Sequence, residues 1–120
     1  MITEGIRWHK VQDVRVATLL EDVLLKLKVG GRAMVLVRHA GRLYAMADHC
    51  PHQGRALSGG WVDNGHVVCP WHRIHYELAT GKAKHGVCSN TVVFAVKEDA
   101  LGIAVGIPYT TIRILGWDLW

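Results

Sequence analysis

Cys50-Pro51-His52 and Cys69-Pro70-Trp71-His72 place four metal-ligating side chains in two short pairs, Cys-x-His and Cys-x-x-His, with sixteen residues, 53 to 68, between them. Each pair offers one thiolate and one imidazole. Pooled, they can hold one iron through two sulfurs and a second iron through two nitrogens, the donor set of an iron–sulfur centre in which two His replace two Cys. The same donors could close a tetrahedral Zn²⁺ site or stand together by chance. Zinc modules more often pair Cys with Cys and His with His at short spacing, which favours iron. Thiolates stabilise the higher oxidation state and carry charge, whereas imidazoles donate without it, so this donor set makes a centre easier to reduce. Its class spans about −150 to +300 mV, against roughly −400 mV for all-Cys plant-type clusters. The added electron is expected on the iron held by His52 and His72, whose second ring nitrogens can reach a partner or lose a proton.

Short strands and turns must position these pairs. Val23 to Val29 alternates Leu25, Leu27 and Val29 with Lys26 and Lys28, a period of two that predicts a half-buried strand. Gly30-Gly31 supplies the next turn, and Ala33 to Val37 and Leu43 to Ala47, separated by Ala40-Gly41, read as the arms of a hairpin. Asp63-Asn64-Gly65, between Trp61-Val62 and His66 to Cys69, delivers the second ligand pair directly from a strand behind a tight turn. Thr80-Gly81-Lys82 marks a further turn, and Thr91 to Lys97, Leu101 to Val105 and Thr110 to Leu115 are the remaining expected strands. Val14 to Leu20 fits either a strand or a short helical turn. The pattern predicts an all-β fold, a small antiparallel β-sandwich or partly closed barrel. Without a repeat, low-complexity tract or linker, residues 1–120 are expected to form a single domain.

Composition narrows the setting. The start of the chain shows no basic segment leading into an apolar stretch, and no apolar run approaches membrane-spanning length, so a soluble, cytoplasmic protein without membrane contact is expected. Of three cysteines, two belong to the motif. Cys88 is left without a disulfide partner, in keeping with a reducing compartment, and reads as a small buried residue. The net charge of +4, from 14 Lys and Arg against 10 Asp and Glu, includes no basic stripe interleaved with aromatics, which argues against nucleic acid. Between residues 50 and 88, Arg55, Arg73, Lys82 and Lys84 outnumber Asp63 and Glu77. These cations make either a solvated rim or a mildly positive face suited to an acidic docking partner.

Cys50-Pro51-His52-Gln53-Gly54 and Cys69-Pro70-Trp71-His72, followed by Leu78-Ala79-Thr80-Gly81-Lys82, resemble a Rieske-type ferredoxin, and the likeness in strand pattern and loop order runs from about Val23 to Val105. The resemblance implies one Rieske [2Fe-2S] cluster per chain, with Cys50 and Cys69 on one iron and His52 and His72 on the other. It implies a cluster-binding subdomain, about residues 46–88, set on a larger antiparallel β domain. It also implies a one-electron carrier rather than an enzyme, passing electrons from a flavoprotein reductase to the terminal oxygenase of an aromatic ring-hydroxylating system. At 120 residues the chain is expected to lack room for the mononuclear-iron catalytic domain of such an oxygenase. A related small subunit accompanies some assimilatory nitrite reductases, and a zinc-stabilised or redox-sensing interaction module is the alternative from a different class.

Departures from neighbouring subfamilies refine these expectations. Rieske proteins of respiratory and photosynthetic cytochrome complexes are similar, but carry disulfide-linked cysteines at the places of Arg55 and Trp71, so that bridge is excluded here. They also carry Ser and Tyr two and four residues after the second His, where this chain has Ile74 and Tyr76. A lower-potential centre is therefore expected, in which Tyr76 keeps one donor near a cysteine sulfur. Similar ferredoxins usually have Gly after the second His, and this chain has Arg73, a long cation. Their Pro-containing third loop corresponds to Gly86-Val87-Cys88-Ser89, without Pro. Tyr76, Trp71, Gln53 and Arg73 are thus the residues expected around the ligands, with Trp61 and Trp71 packing to keep water from the sulfurs. His49 and His75 read as surface residues or neighbours of the cluster and His9 and His39 as surface, while His66 and His85 receive no role. The apolar end, Ile114 to Trp120, is expected to cover a barrel edge or to dock on a partner or a second copy, giving a homo-oligomer.

Overall fold

Three tight turns set the strand register in the computed structural model, which describes residues 2–51, 55–71, 73–86, 89–114 and 117–118. Gly30-Gly31, Ala40-Gly41 and Asn64-Gly65 each put two successive residues at positive φ, the mirror-image turn whose twist matches the strands it joins. They connect β2 (Leu25–Val29) to β3 (Arg32–His39), β3 to β4 (Arg42–Ala47), and β5 (Trp61–Asp63) to β6 (His66–Val68), all as antiparallel pairs. These are the hairpins the sequence announces.

The remaining strands are β1 (Ile2–Val11), β7 (His75–Glu77), β8 (Val93–Asp99), β9 (Gly102–Ile114) and β10 (Trp117–Asp118). One sheet has the order β1-β9-β8-β4-β3-β2 with β10 paired to the end of β9, and it curls as a half-barrel. β5, β6 and β7 form a second sheet, inserted in the chain between β4 and β8. The all-β expectation holds, with corrections in detail. Leu101 to Val105 and Thr110 to Leu115 are not two strands: Gly102–Ile114 is one thirteen-residue strand. Pro108 is tolerated in it because the ladder to β8 ends at Gly106, leaving one edge of β9 that needs no amide donor. Residues 2–11, without a strand signal of their own, become a strand by pairing along β9 from Ile2 opposite Ile112 to Val11 opposite Ile103. Val14–Ala17 is a single helical turn, its N-terminus capped by the Asp13 carboxylate accepting the Arg15 N–H at 2.9 Å. Among the described residues no helix is long and apolar enough to cross a membrane.

β3 decides where the core lies. Met34, Val35, Leu36 and Val37 are all 0% exposed, a continuous run that only a strand covered on both faces produces. Alternation sends Met34 and Leu36 into one core with Val16, Leu43, Phe94 and Val105, and sends Val35 and Val37 into another with Met46, Leu57, Val67, Tyr76, Cys50 and Cys69. β3 and β4 are therefore the wall between a structural core and the core on which the cysteines rest. Burial of each such aliphatic side chain contributes about 1.5–3 kcal/mol.

Arg38 on β3 reaches β8 as a two-pronged pair with Glu98, at 2.8 and 3.1 Å. The Arg38 hydrogen bonds hold the Glu98 carboxyl below its ordinary range against the opposing effect of burial. A carboxylate held low in the folded state stabilises fully above its unfolded pKa, and that share disappears as pH falls through the lowered folded value. The Glu98 side chain is 39% exposed, so the share is about 1 kcal/mol or less. Glu98→Gln is expected to flatten the acid limb of stability by that amount, read as the denaturant midpoint between neutral and acid pH.

Candidate metal centre

Both cysteines leave the second core at the mouth of a loop closed in the same way. The Cys50 N–H donates to the Arg55 carbonyl at 2.6 Å and the Cys69 N–H to the Ile74 carbonyl at 2.9 Å, so each Cys is tied to the residue five positions on. The first loop follows β4. Its entry is pinned by the Asp48 carboxylate, which accepts the Ser58 N–H at 2.7 Å, and its exit by Leu57, fully buried at the start of a short 3₁₀ turn. The second loop joins β6 to β7 and turns through the Arg73 N–H, which donates to the Cys69 carbonyl at 2.9 Å. Gly60 lets the two loop regions approach: a Cβ there would collide with the Val68 carbonyl oxygen, immediately before Cys69.

Cys50 and Cys69 are each 1% exposed within one apolar core. Tyr76, 0% exposed on β7, places its hydroxyl 3.3 Å from Cys50 Sγ, where it can donate to a thiolate. This is the contact expected of Tyr76. Pairing of Tyr76 with Val67 and a bridge to Ala83 hold its backbone. Ile74, half-buried against the same core, brings no donor. A third segment braces the first loop: the buried Thr91 donates its hydroxyl to the His49 carbonyl at 3.2 Å and its N–H to the Gly81 carbonyl at 2.9 Å, while Asn90 Oδ1 accepts the Ala83 N–H at 3.1 Å. The sequence carried no local signal for Asp48, Asn90 or Thr91, whose partners are 7 to 42 residues away.

His52, His72, Gln53 and Cys88 lie outside the described residues, as does Val87 of the third loop. The described half of the donor set fits an iron–sulfur cluster. Two thiols shielded from water converge from separate loops on one core, with a phenol positioned to hydrogen-bond a ligating sulfur.

The rim departs from expectation. Trp61 and Trp71 are 46% and 55% exposed, while Leu57, Val67 and Tyr76 are the fully buried side chains that pack with Cys50 and Cys69. The Arg55 guanidinium instead lies 4.0 Å from the centroid of the Trp71 ring. Arg55, Arg73, Lys82 and Lys84 are all exposed. Arg73 has φ +55°, the left-handed region where an L-residue costs about 1–2 kcal/mol, which explains why glycine suits this place. Arg73→Gly is expected to raise the thermal midpoint and, by removing a cation near the ligands, to lower the reduction potential by about 10–30 mV; calorimetry and voltammetry check both.

The remaining histidines are distributed around this frame. His66 and His75, on adjacent strands, have ring centroids 6.1 Å apart at 64°, a pairing invisible in the sequence. His9 and His39, expected at the surface, are half-buried: His9 packs on Gly30, and His39 Nδ1 lies 2.7 Å from Asp22 Oδ1. His49 and His85 are exposed.

Residues 7–98 match the family described as the Rieske [2Fe-2S] domain. The ferredoxin component of the naphthalene 1,2-dioxygenase system of Pseudomonas putida is 27% identical over 101 residues, covering 83% of this chain and 95% of that protein. The fold matches the ferredoxin of carbazole 1,9a-dioxygenase from Nocardioides aromaticivorans IC177 with a TM-score of 0.70 at 22% identity, over 81% of this chain and 93% of that one. It also matches a chain in the complex of reduced oxygenase and oxidised ferredoxin of carbazole 1,9a-dioxygenase, with a TM-score of 0.69 at 25% identity, over 82% and 91%. Two buried cysteines on twin loops, a tyrosine at one sulfur and a family match over most of the chain converge: the chain belongs to the Rieske [2Fe-2S] family, and its cofactor is a Rieske-type [2Fe-2S] cluster.

Proposed function

We propose that Cys50 and Cys69 ligate one iron and His52 and His72 the other, and that the chain carries single electrons from a flavoprotein reductase to the terminal oxygenase of a multicomponent system. The observation that carries the proposal is the alignment with a dioxygenase ferredoxin component along 95% of that protein's length. When bound, the cluster supplies one-electron redox chemistry. The chain's own residues do the rest. Buried Cys50 and Cys69 exclude water from the sulfur side, and Tyr76 donates to the Cys50 sulfur. The exposed Arg55, Arg73, Lys82 and Lys84 attract an acidic face on the partner, which raises the encounter rate more than the affinity. In this reading residues 1–120 act as one cytoplasmic domain with the ligand loops within about residues 46–88. Trp117 and Asp118 pair with the end of β9 in the same chain, in keeping with an apolar end that covers a sheet edge, and light scattering separates this from docking on a second copy.

Mixing the reduced protein with purified terminal oxygenases tests the assignment. Rapid reoxidation of the cluster, slowed by salt, is expected with an oxygenase acceptor. A stable stoichiometric complex with a nitrite-reductase-type subunit would replace it with the fixed-subunit function, and a colourless, zinc-containing protein would overturn the ligand assignment.

A further inference from the structure

We infer that the Arg55–Trp71 cation–ring contact is a noncovalent clamp holding the two ligand loops at the separation the cluster requires, which makes both of them positioning residues. The inference rests on the ligand assignment above. Each loop supplies one Cys and one His, so each iron draws one ligand from each loop, and the spacing between loops enters the coordination of both irons. The hydrogen bonds that close the loops, Cys50 to Arg55 and Cys69 to Ile74, run within a loop. They set loop shape and leave loop separation open.

Across the loops, the base is fastened in the apolar core that Cys50 and Cys69 share. The outer ends meet where the Arg55 guanidinium lies 4.0 Å from the Trp71 ring centroid. Both residues are built into the loops they join. Arg55 provides the carbonyl that accepts from Cys50, and Trp71 stands between Cys69 and His72, so a pull between their side chains acts on the ligand-bearing backbone. The chemistry suits a permanent fastening. The attraction of a guanidinium is to the ring quadrupole, so no carboxylate partner is needed to form it. An exposed contact of this kind is worth about two- to fivefold in an equilibrium.

A double-mutant cycle on the cluster-loaded protein tests the clamp, reading the rate at which visible absorption is lost to an iron chelator. Arg55→Gln and Trp71→Leu are each expected to speed loss about two- to fivefold, and the double variant to lose its cluster no faster than the faster single. Arg55→Lys, which keeps a cation over the ring, is expected to restore a rate near wild type. The paramagnetic resonance lines of the reduced single variants are expected to broaden as ligand geometry at the irons spreads, a change that a general loss of fold stability would not produce. Single-variant rates and line widths equal to wild type, or a double variant whose acceleration is the product of the singles, would overturn the clamp while leaving the ligand assignment standing. Wild-type protein that holds no [2Fe-2S] cluster would remove the assignment and the clamp together.

Discussion

Cys50→Ser and Cys69→Ser proteins are expected to purify without the visible absorption and reduced-state paramagnetic resonance of the cluster, a complete loss rather than a graded one. A serine hydroxyl does not ionise near neutral pH, and the soft iron–sulfur centre selects thiolate over neutral oxygen donors. Burial adds a second effect. Each position is 1% exposed in an apolar core, so the serine hydroxyl is left among Val35, Met46, Val67 and Leu57 at a cost of about 1–3 kcal/mol if it finds no partner. Because ligand binding and loop folding are coupled, thermal unfolding should also move well below wild type. His52→Ala and His72→Ala are expected to lose the cluster likewise. A Cys50→Ser protein with an unchanged spectrum would refute the ligand set.

Tyr76→Phe is expected to keep the cluster and lower its reduction potential by about 20–60 mV, from a differential hydrogen-bond energy of about 0.5–1.5 kcal/mol in a one-electron couple. The sign follows from charge. Reduction would make the centre as a whole one charge more negative, and a hydroxyl dipole 3.3 Å from Cys50 Sγ would stabilise that state more than the oxidised one. Removing it favours the oxidised form. The substitution isolates this contribution because Phe refills the same fully buried volume on β7, leaving the pairing with Val67 and the bridge to Ala83 intact. Voltammetry of wild type and variant measures the shift, and equal potentials would show that the contact does not tune the cluster. Ile74, half-buried against the same core, offers no side-chain hydrogen bond of its own to a sulfur.

The identity of the centre was written in the sequence because metal ligation is local chemistry. Cys-x-His and Cys-x-x-His each place both donors of a pair on one short loop, so spacing alone limits what they can bind. The turns at Gly30-Gly31, Ala40-Gly41 and Asn64-Gly65 were legible for the same reason, since two successive positive φ angles are a property of two neighbouring residues. Tyr76 was legible only through its distance along the chain from the second ligand pair. The tertiary structure decided what depends on distant partners. Residues 2–11 are a strand because β9 runs beside them, and β3 is buried on both faces because two cores form around it. Thr91 secures the first loop across 42 residues of sequence. Trp71 looked like a cover over the sulfurs, and Arg55 like a solvated cation that merely excluded a disulfide; the fold set one against the other at 4.0 Å. Sequence periodicity reports which side of an element is apolar, while only the packed sheets determine which loops meet and what their side chains find there.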